Sequence, residues 1–582
     1  MTTTRSGFTK LAAVCIAILL GAVVWELGWP LSREDHESSR LIAAASTLGH
    51  LTGILGSYFR KEINRPSLRL LIFQIISCLM IFLLIAREQQ EAGYMRFTEL
   101  SRLVITAGLI AIPTLMSLTR IFEWLVGKQK KGRPLMAPAM QFVASLGVVI
   151  LAGTGLLLLP NSTYPGITLS FTDALFTSTS AVCVTGLNAV DFAHTFTPLG
   201  EMFTLALIQI GGFGIMTFAY FVAMVAGQGF SLRDRVLLTD LLDEDNLGAV
   251  VSFITTIVVS TLFIELCGAV LLYFSWEGKD INLMGEPLWW HSLFHSVSAF
   301  CNAGFSTFPM NLMEPGIRLC YSGQAVIMAL IVCGGLGFGI YKEINSRLAN
   351  RFFSKHRRLH MQWTPYFKLV MISTGILLAG GALAIFAVSS PHAAEPLGEH
   401  LWICLFDSVT ARTAGFNISD YSRYLPAASL IMCGLMMVGG SPGGTAGGMR
   451  TTTCAIAGAE FLRSLRGRDH VVFFRRRIDQ RTVARCVITV VVSCAWIGCF
   501  TVLICALEPS MSSLDIFFEN CSAFATVGVS RGITPDLSDP SKYLLIVNML
   551  AGRVGLFAFL IALAGTPTPR HYRYPSVKIP LT

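Results

Sequence analysis

The chain has 582 residues, of which 53% are hydrophobic and 14% charged, with a net charge of +9 and a mean hydropathy of +0.62. A soluble globular protein carries about 25% charged residues, so this chain lacks the charge to coat a water-facing surface. Intrinsic disorder and a soluble multidomain enzyme are both excluded. Its apolar residues fall in blocks of about 20, the length at which a helix crosses about 30 Å of hydrocarbon. The expected class is an all-α polytopic membrane protein.

Four apolar segments come first, at 8–29, 41–58, 67–86 and 103–126, and they form an N-terminal unit of transmembrane helices over 1–134. The run Leu11 to Val24 follows Arg5 and Lys10 but is succeeded by Glu26, Trp29 and Pro30. Without a small-residue cleavage site it reads as a first span rather than a signal peptide. Positive charge gathers at Lys128, Lys130, Lys131 and Arg133, at Lys342, Arg347, Arg351, Lys355, Arg357 and Arg358, and at Arg463, Arg466, Arg468, Arg475, Arg476, Arg477 and Arg481. The stretches 161–170 and 391–400 hold no Lys or Arg. Such asymmetry places the basic loops and the N-terminus in the cytoplasm and explains the charge without nucleic acid. The 15 cysteines are scattered, which suggests neither a disulfide framework nor a zinc site.

Beyond residue 134 four stretches resemble one another: FTSTSAVCVTGL at 176–187, FHSVSAFCNAGF at 294–305, FDSVTARTAGFN at 406–417 and FENCSAFATVGVS at 518–530. Each is a short helix-like run, then Ser or Thr followed by Ala, then a glycine: Gly186, Gly304, Gly415 or Gly528. A long apolar segment precedes each one (137–160, 249–275, 366–389, 483–507) and another follows (201–227, 322–341, 425–458, 541–565). The repeating unit is therefore helix, half-helix, glycine loop, helix. Four units span 135–228, 229–345, 346–462 and 463–582, giving twelve spans and four re-entrant loops in all.

A half-helix cannot cross a bilayer, and irregular backbone survives at that depth only where protein or a water-filled cavity covers it. Four such loops can converge on one axis and line a pore with carbonyl oxygens that replace the hydration shell of a monovalent cation. The expected filter residues are Val184, Thr185 and Gly186, Asn302, Ala303 and Gly304, Thr413, Ala414 and Gly415, and Thr526, Val527 and Gly528. Thr526-Val527-Gly528 repeats the start of the potassium-channel signature TVGYG. Ser170-x-x-Asp173 and Ser512-x-x-Asp515 look like capping boxes that start two of the half-helices. Small-residue helix packing is the competing explanation for a single loop; four loops in register outweigh it.

These motifs carry a family resemblance. Residues 137–575 resemble the Trk/Ktr/HKT superfamily of potassium transporters, and in particular its TrkH/KtrB-like pore-forming subunits. CVTGL at 183–187, RTAGFN at 412–417 and SAFATVGVSRG at 522–532 look like its first, third and fourth pore loops. GGFGIMTF at 211–218, GGLGF at 334–338 and GRVGL at 552–556 look like the beginnings of its post-pore helices, and GGSPGGTAGGMRTTT at 439–453 like its intramembrane loop. The resemblance implies one pseudo-fourfold pore per chain and K+ as the transported ion, with no cofactor in this chain. It further implies a homodimer, a cytosolic nucleotide-binding regulatory ring (TrkA/KtrA-like) and a bacterial plasma membrane. By the same resemblance Gly439, Gly440, Ser441, Gly443, Gly444, Gly447 and Gly448 form a gate, with Arg450 at its end and Arg553 below the filter as an electrostatic barrier. A sodium or sodium/potassium carrier is the alternative within transport.

Enzyme readings fail on detail. Gly439-Gly440-Ser441-Pro442-Gly443 fits a nucleophile elbow, which needs the backbone N–H that Pro442 lacks. Gly443 and Gly448 have P-loop spacing, but Met449 stands where the phosphate-binding lysine belongs. His291 and His295 are the candidates for an intramembrane hydrolase, yet Ser292 replaces the glutamate of H-E-x-x-H, and no transition metal is expected. Glu265, in mid-span, reads as structural. Asp407 and Glu519 either concentrate cations or anchor their half-helices, and Arg412 is expected to point behind the filter.

Overall fold

The computed structural model describes residues 138–214, 250–353, 363–389 and 396–557, with a few isolated positions besides. The four N-terminal segments, the cluster at 128–133 and residues 355–358 lie outside the described residues.

The helices run α1 (Pro138–Leu157), α2 (Phe171–Cys183) and α3 (Pro198–Phe213), then α4 (Val250–Trp276), α5 (Leu288–Cys301), α6 (Tyr321–Gly335) and α7 (Phe338–Phe353). After them come α8 (Pro365–Val388), α9 (Leu397–Thr410), α10 (Pro426–Met437) and α11 (Thr451–Leu465), and finally α12 (Gln480–Leu507), α13 (Ser513–Ala525) and α14 (Asp539–Val554). A two-stranded antiparallel hairpin, β1 (Val472–Phe473) with β2 (Arg476–Arg477), joins α11 to α12.

Among the described residues, α4 from Phe253, α8 and α12 are long and apolar enough to cross a membrane; their lengths are 24, 24 and 28 residues. They expose large side chains, such as Phe263, Ile376 and Val502, each about two-thirds accessible. A helix apolar all round with such an outer face suits lipid rather than water. The short helices α2, α5, α9 and α13 have 13 or 14 residues, too few for a span. Each packs on the long helix before it, and their leading phenylalanines Phe176, Phe294, Phe406 and Phe518 are fully buried.

Three local expectations need correction. The span expected over 322–341 is broken: α6 and α7 meet at 93°. Gly337 has φ +90°, and the Phe338 N–H donates to Gly443 O at 3.0 Å instead of continuing the helix. The motifs GGFG, GGLGF and GRVGL do not begin post-pore helices but lie at the ends of α3, α6 and α14. Their glycines Gly211, Gly334 and Gly552 admit the carbonyls of Val182, Phe300 and Phe524, which a Cβ would overlap. Ser170 caps α2 as expected, accepting from Asp173 N at 3.0 Å, but Ser512 makes no cap bond to α13. Asp515 instead takes Arg531 Nε at 2.6 Å.

Candidate functional site: four glycine loops and the loop beneath them

The short helices α2, α5 and α13 end alike. Val184, Asn302 and Thr526 turn into the left-handed region at φ 58°, 61° and 51°, and their N–H groups bond back to the last turn. Thr413, after α9, has φ 68°. The glycines follow at positive φ, from +70° to +90°. Each tripeptide thus has positive φ at its first and third residues, and only glycine accepts the third at low cost.

The four glycines close on one another in cyclic order. A Cβ on Gly304 would sit 2.7 Å from Ala414 O, and one on Gly415 would sit 2.6 Å from Val527 O. Gly528 faces Thr185 O and Gly186 faces Ala303 O at still closer approach. First loop touches second, second third, third fourth, and fourth first. All twelve residues of these tripeptides are buried. Among the described residues no hydrogen bond ends on the carbonyls of 184–186, 302–304, 413–415 or 526–528. Buried carbonyls without partners are rare and costly in folded proteins. Oxygens in such a ring are of the chemical type that can replace the hydration shell of a monovalent cation.

The loops are held from behind. The hydroxyls of the Ser/Thr-Ala pairs, read in the sequence only as part of a pattern, brace the backbone. Ser180 and Ser522 accept from Gly186 N and Gly528 N at 3.0 and 3.1 Å, while Ser298 and Thr410 donate to Phe305 O and Phe416 O at 2.8 and 2.6 Å. Another set ties each short helix to its preceding long one. Ser178 bonds Ile150 O, Ser296 bonds Glu265 O, Ser408 bonds Leu378 O and Asn520 bonds Ile497 O, at 2.6–2.9 Å.

Asp407 accepts from the hydroxyls of Tyr421 (2.8 Å), Tyr424 and Ser419, and Glu519 accepts from Ser530, Thr534 (3.1 Å) and the Arg531 N–H (3.1 Å). Both carboxyls therefore anchor the chain that leaves their loops. His291 and His295 bond Thr307 and Ser306, and they too brace the second loop. Arg412 is buried.

Beneath the ring lies the glycine-rich segment between α10 and α11, where Gly439 N bonds Met449 O at 2.8 Å and closes the loop at its neck. Ser441 N reaches Gly335 O at 2.9 Å, Tyr366 Oη reaches Pro442 O at 2.9 Å, and Thr445 Oγ1 reaches Phe300 O at 3.2 Å. Gly440, Gly443 and Gly444 continue the loop along the bend between α6 and α7. Gly447 packs its Cα on the Thr526 side chain and Gly448 on Ala525, leaving no room for a Cβ at Gly447. Arg450, the N-cap of α11, donates to Ala446 O at 2.5 Å, and Arg553 donates to Thr445 O and Gly211 O. The structure thus brings Arg450 and Arg553, 103 positions apart in the sequence, to the same loop.

Arg531 was not singled out in the sequence. Besides Asp515 it reaches Tyr421 O at 3.0 Å, Ser429 Oγ at 2.5 Å and Ser422 O at 3.1 Å, fastening the fourth loop to the third. No local signal marks it, because all but one of its partners lie about a hundred positions earlier.

Comparison with known proteins gives the family and a similar fold. The TrkH family, described as a cation transport protein, matches residues 104–574. The chain is 34% identical over 446 residues to the Ktr system potassium uptake protein B of Bacillus subtilis (strain 168), covering 74% of this chain and 94% of that one. It is 32% identical over 466 residues to the potassium/sodium uptake protein NtpJ of Enterococcus hirae, covering 78% and 99%. Its fold is similar to that of the potassium transporter TrkH from Vibrio parahaemolyticus, with a TM-score of 0.59, 18% identity and coverage of 85% of this chain and 97% of that one. These are transport proteins and not enzymes, and the chain belongs to the TrkH family of membrane cation transport proteins.

Proposed function

We propose that the chain takes up potassium through a pore whose selectivity filter is the ring of four glycine loops. The observation that carries this reading is the set of buried, unbonded carbonyls on 184–186, 302–304, 413–415 and 526–528, closed in cyclic order by glycine. Four units, 135–228, 229–345, 346–462 and 463–582, each contribute one quarter of a pseudo-fourfold pore, preceded by the helices of 1–134. The loop 439–448 is the gate, with Arg450 and Arg553 holding its far side. The chain makes twelve spans of a plasma membrane, and the charge asymmetry of its loops supports a cytoplasmic side for the N-terminus and the basic loops. There the basic segments 342–358 and 463–481, which include the end of α7 and of α11, receive a nucleotide-binding regulatory ring, and two chains form a homodimer. The two curated relatives support potassium as cargo, and the name of the Enterococcus hirae relative makes sodium the second reading.

Flux of potassium, rubidium and sodium into liposomes containing the purified chain separates the two. Rubidium should follow potassium and sodium should lag. Sodium entering as fast as potassium would overturn the potassium reading, and no cation flux at all would overturn the pore.

A further inference from the structure

Behind the second loop one buried carboxyl has no cation beside it. Glu265 lies midway along α4 and is 3% exposed. Gln209 Nε2, on α3, donates to both of its carboxyl oxygens at 3.2 and 3.1 Å, and the Cys301 thiol, at the end of α5, approaches Oε1 at 3.6 Å. Among the described residues Glu265 makes no ion pair. A carboxylate held in hydrocarbon by one neutral amide and a thiol is poorly compensated. It answers to a proton or to the nearest positive charge.

One positive charge, Arg553, is joined to Glu265 through a short piece of α3. Gln209 holds Glu265 by its side chain, and two residues later the Gly211 carbonyl accepts from Arg553. Gly212 then packs its Cα on the Cys301 sulfur, whose thiol approaches Glu265 Oε1 at 3.6 Å.

We propose that Glu265 is a proton-binding site that sets the effective charge below the ring. Ionised, it offsets Arg553 and lowers the barrier to a passing cation. Protonated, it leaves Arg553 uncompensated, and conduction falls. The effect on flux rests on the reading of Arg553 as the barrier; proton binding by Glu265 does not.

Other titratable groups on the packed elements face elsewhere. On α5, His291 faces Thr307 and Leu283 O, and His295 faces Ser306. On α3, Glu201 accepts from Trp290 Nε1 at 2.6 Å. On α7, the Tyr341 hydroxyl bonds Cys333 O, and Lys342 lies over the Phe253 ring. Cys301 alone among them points at the Glu265 carboxyl.

The test uses the full chain in liposomes at a series of equal internal and external pH values, with rubidium flux counted per folded molecule. Infrared spectra of the same protein follow the carboxylic acid C=O band. Wild-type flux should fall several-fold on acidification as one such band grows. Glu265→Gln should be slow and flat with pH and lack that band. Arg553→Gln should keep the band and lose the pH dependence of flux. Should Glu265→Gln fold poorly, Gln209→Ala serves in its place: removing a donor to the carboxylate favours the protonated form, so the fall in flux should move to higher pH. A Glu265→Gln protein with the wild-type pH profile, or a Gln209→Ala protein with an unmoved one, would overturn the link to conduction. A wild-type-minus-Glu265→Gln difference spectrum with no titrating band would overturn the proton site. If wild-type protein passes no rubidium at any pH, the pore reading fails, while the infrared titration still decides whether Glu265 binds the proton.

Discussion

Adding a single methyl group at Gly415 tests the ring directly. Gly415 has φ +79°, and a Cβ there would lie 2.6 Å from Val527 O, 3.0 Å from the Gly304 Cα and 3.3 Å from the Gly528 Cα. One methyl group thus presses on two neighbouring loops at once. Holding alanine in the left-handed region costs about 1–2 kcal/mol, and overpacking adds about 1–3 kcal/mol. Even the lower total, about 2 kcal/mol, exceeds the ~1.4 kcal/mol that corresponds to a tenfold change in an equilibrium. The overlapping atoms are backbone, so relief requires the loops to move apart and the carbonyl ring to widen. Gly415→Ala should therefore cut rubidium flux per folded molecule by at least about tenfold and narrow the difference between rubidium and sodium. Gly434→Ala on α10 is the matched control, since a Cβ there meets nothing within 4 Å. In a helix that change is stabilising by up to about 1 kcal/mol and should leave flux untouched. The assay is tracer uptake into liposomes, with monodispersity checked by size-exclusion chromatography. A well-folded Gly415→Ala protein that conducts and selects as the wild type does would refute the argument that these glycines define the ion path.

Shortening the loop 439–448 should raise potassium flux per folded molecule, because six of its ten residues are glycine and rearrangement costs little; a monodisperse deletion that conducts no faster would make the loop a static helix break. Arg531→Met removes the tie between the third and fourth loops and leaves Asp515 without its 2.6 Å partner. A lost hydrogen bond to a charged group predicts a destabilisation of about 1.5–3 kcal/mol, read as a lower midpoint of thermal unfolding in detergent. At the loop before α10, bonds from Ser422 and the charge of Arg423 hold the Asp420 carboxyl below its ordinary range. A depressed folded-state value means that the stabilisation is present above the unfolded value, about 3.9, and is lost as pH falls through the folded one. Asp420→Asn should accordingly lower stability at neutral pH by that contribution and flatten the fall toward acid. An acid limb identical to wild type would show that Asp420 contributes nothing there.

The sequence by itself determined the class, the four short helices and the four glycines, because each depends on local quantities. Segment length against bilayer thickness separates α4, α8 and α12 from α2, α5, α9 and α13. Positive φ demands glycine at 186, 304, 415 and 528, and the Ser170 cap bonds only three residues on. The tertiary structure decided everything that depends on which distant groups meet. The cyclic contact of the loops joins residues more than a hundred positions apart, and spacing along one chain carries no information about that order. Gly334, Gly335 and Gly337 permit a bend between α6 and α7, but the acceptor for Phe338 N is Gly443 O, more than a hundred positions on, which the local sequence does not announce. Ser512 and Asp515 have the capping spacing, yet Arg531 draws Asp515 away. Charge-assisted bonding to a distant guanidinium outcompetes the weaker local bond. The same reason governs Glu265: its sequence position shows a carboxyl in a span, while its partners Gln209 and Cys301 come only from the packing of α3 and α5 on it, and the segment shared with Arg553 from the bond of Arg553 to α3.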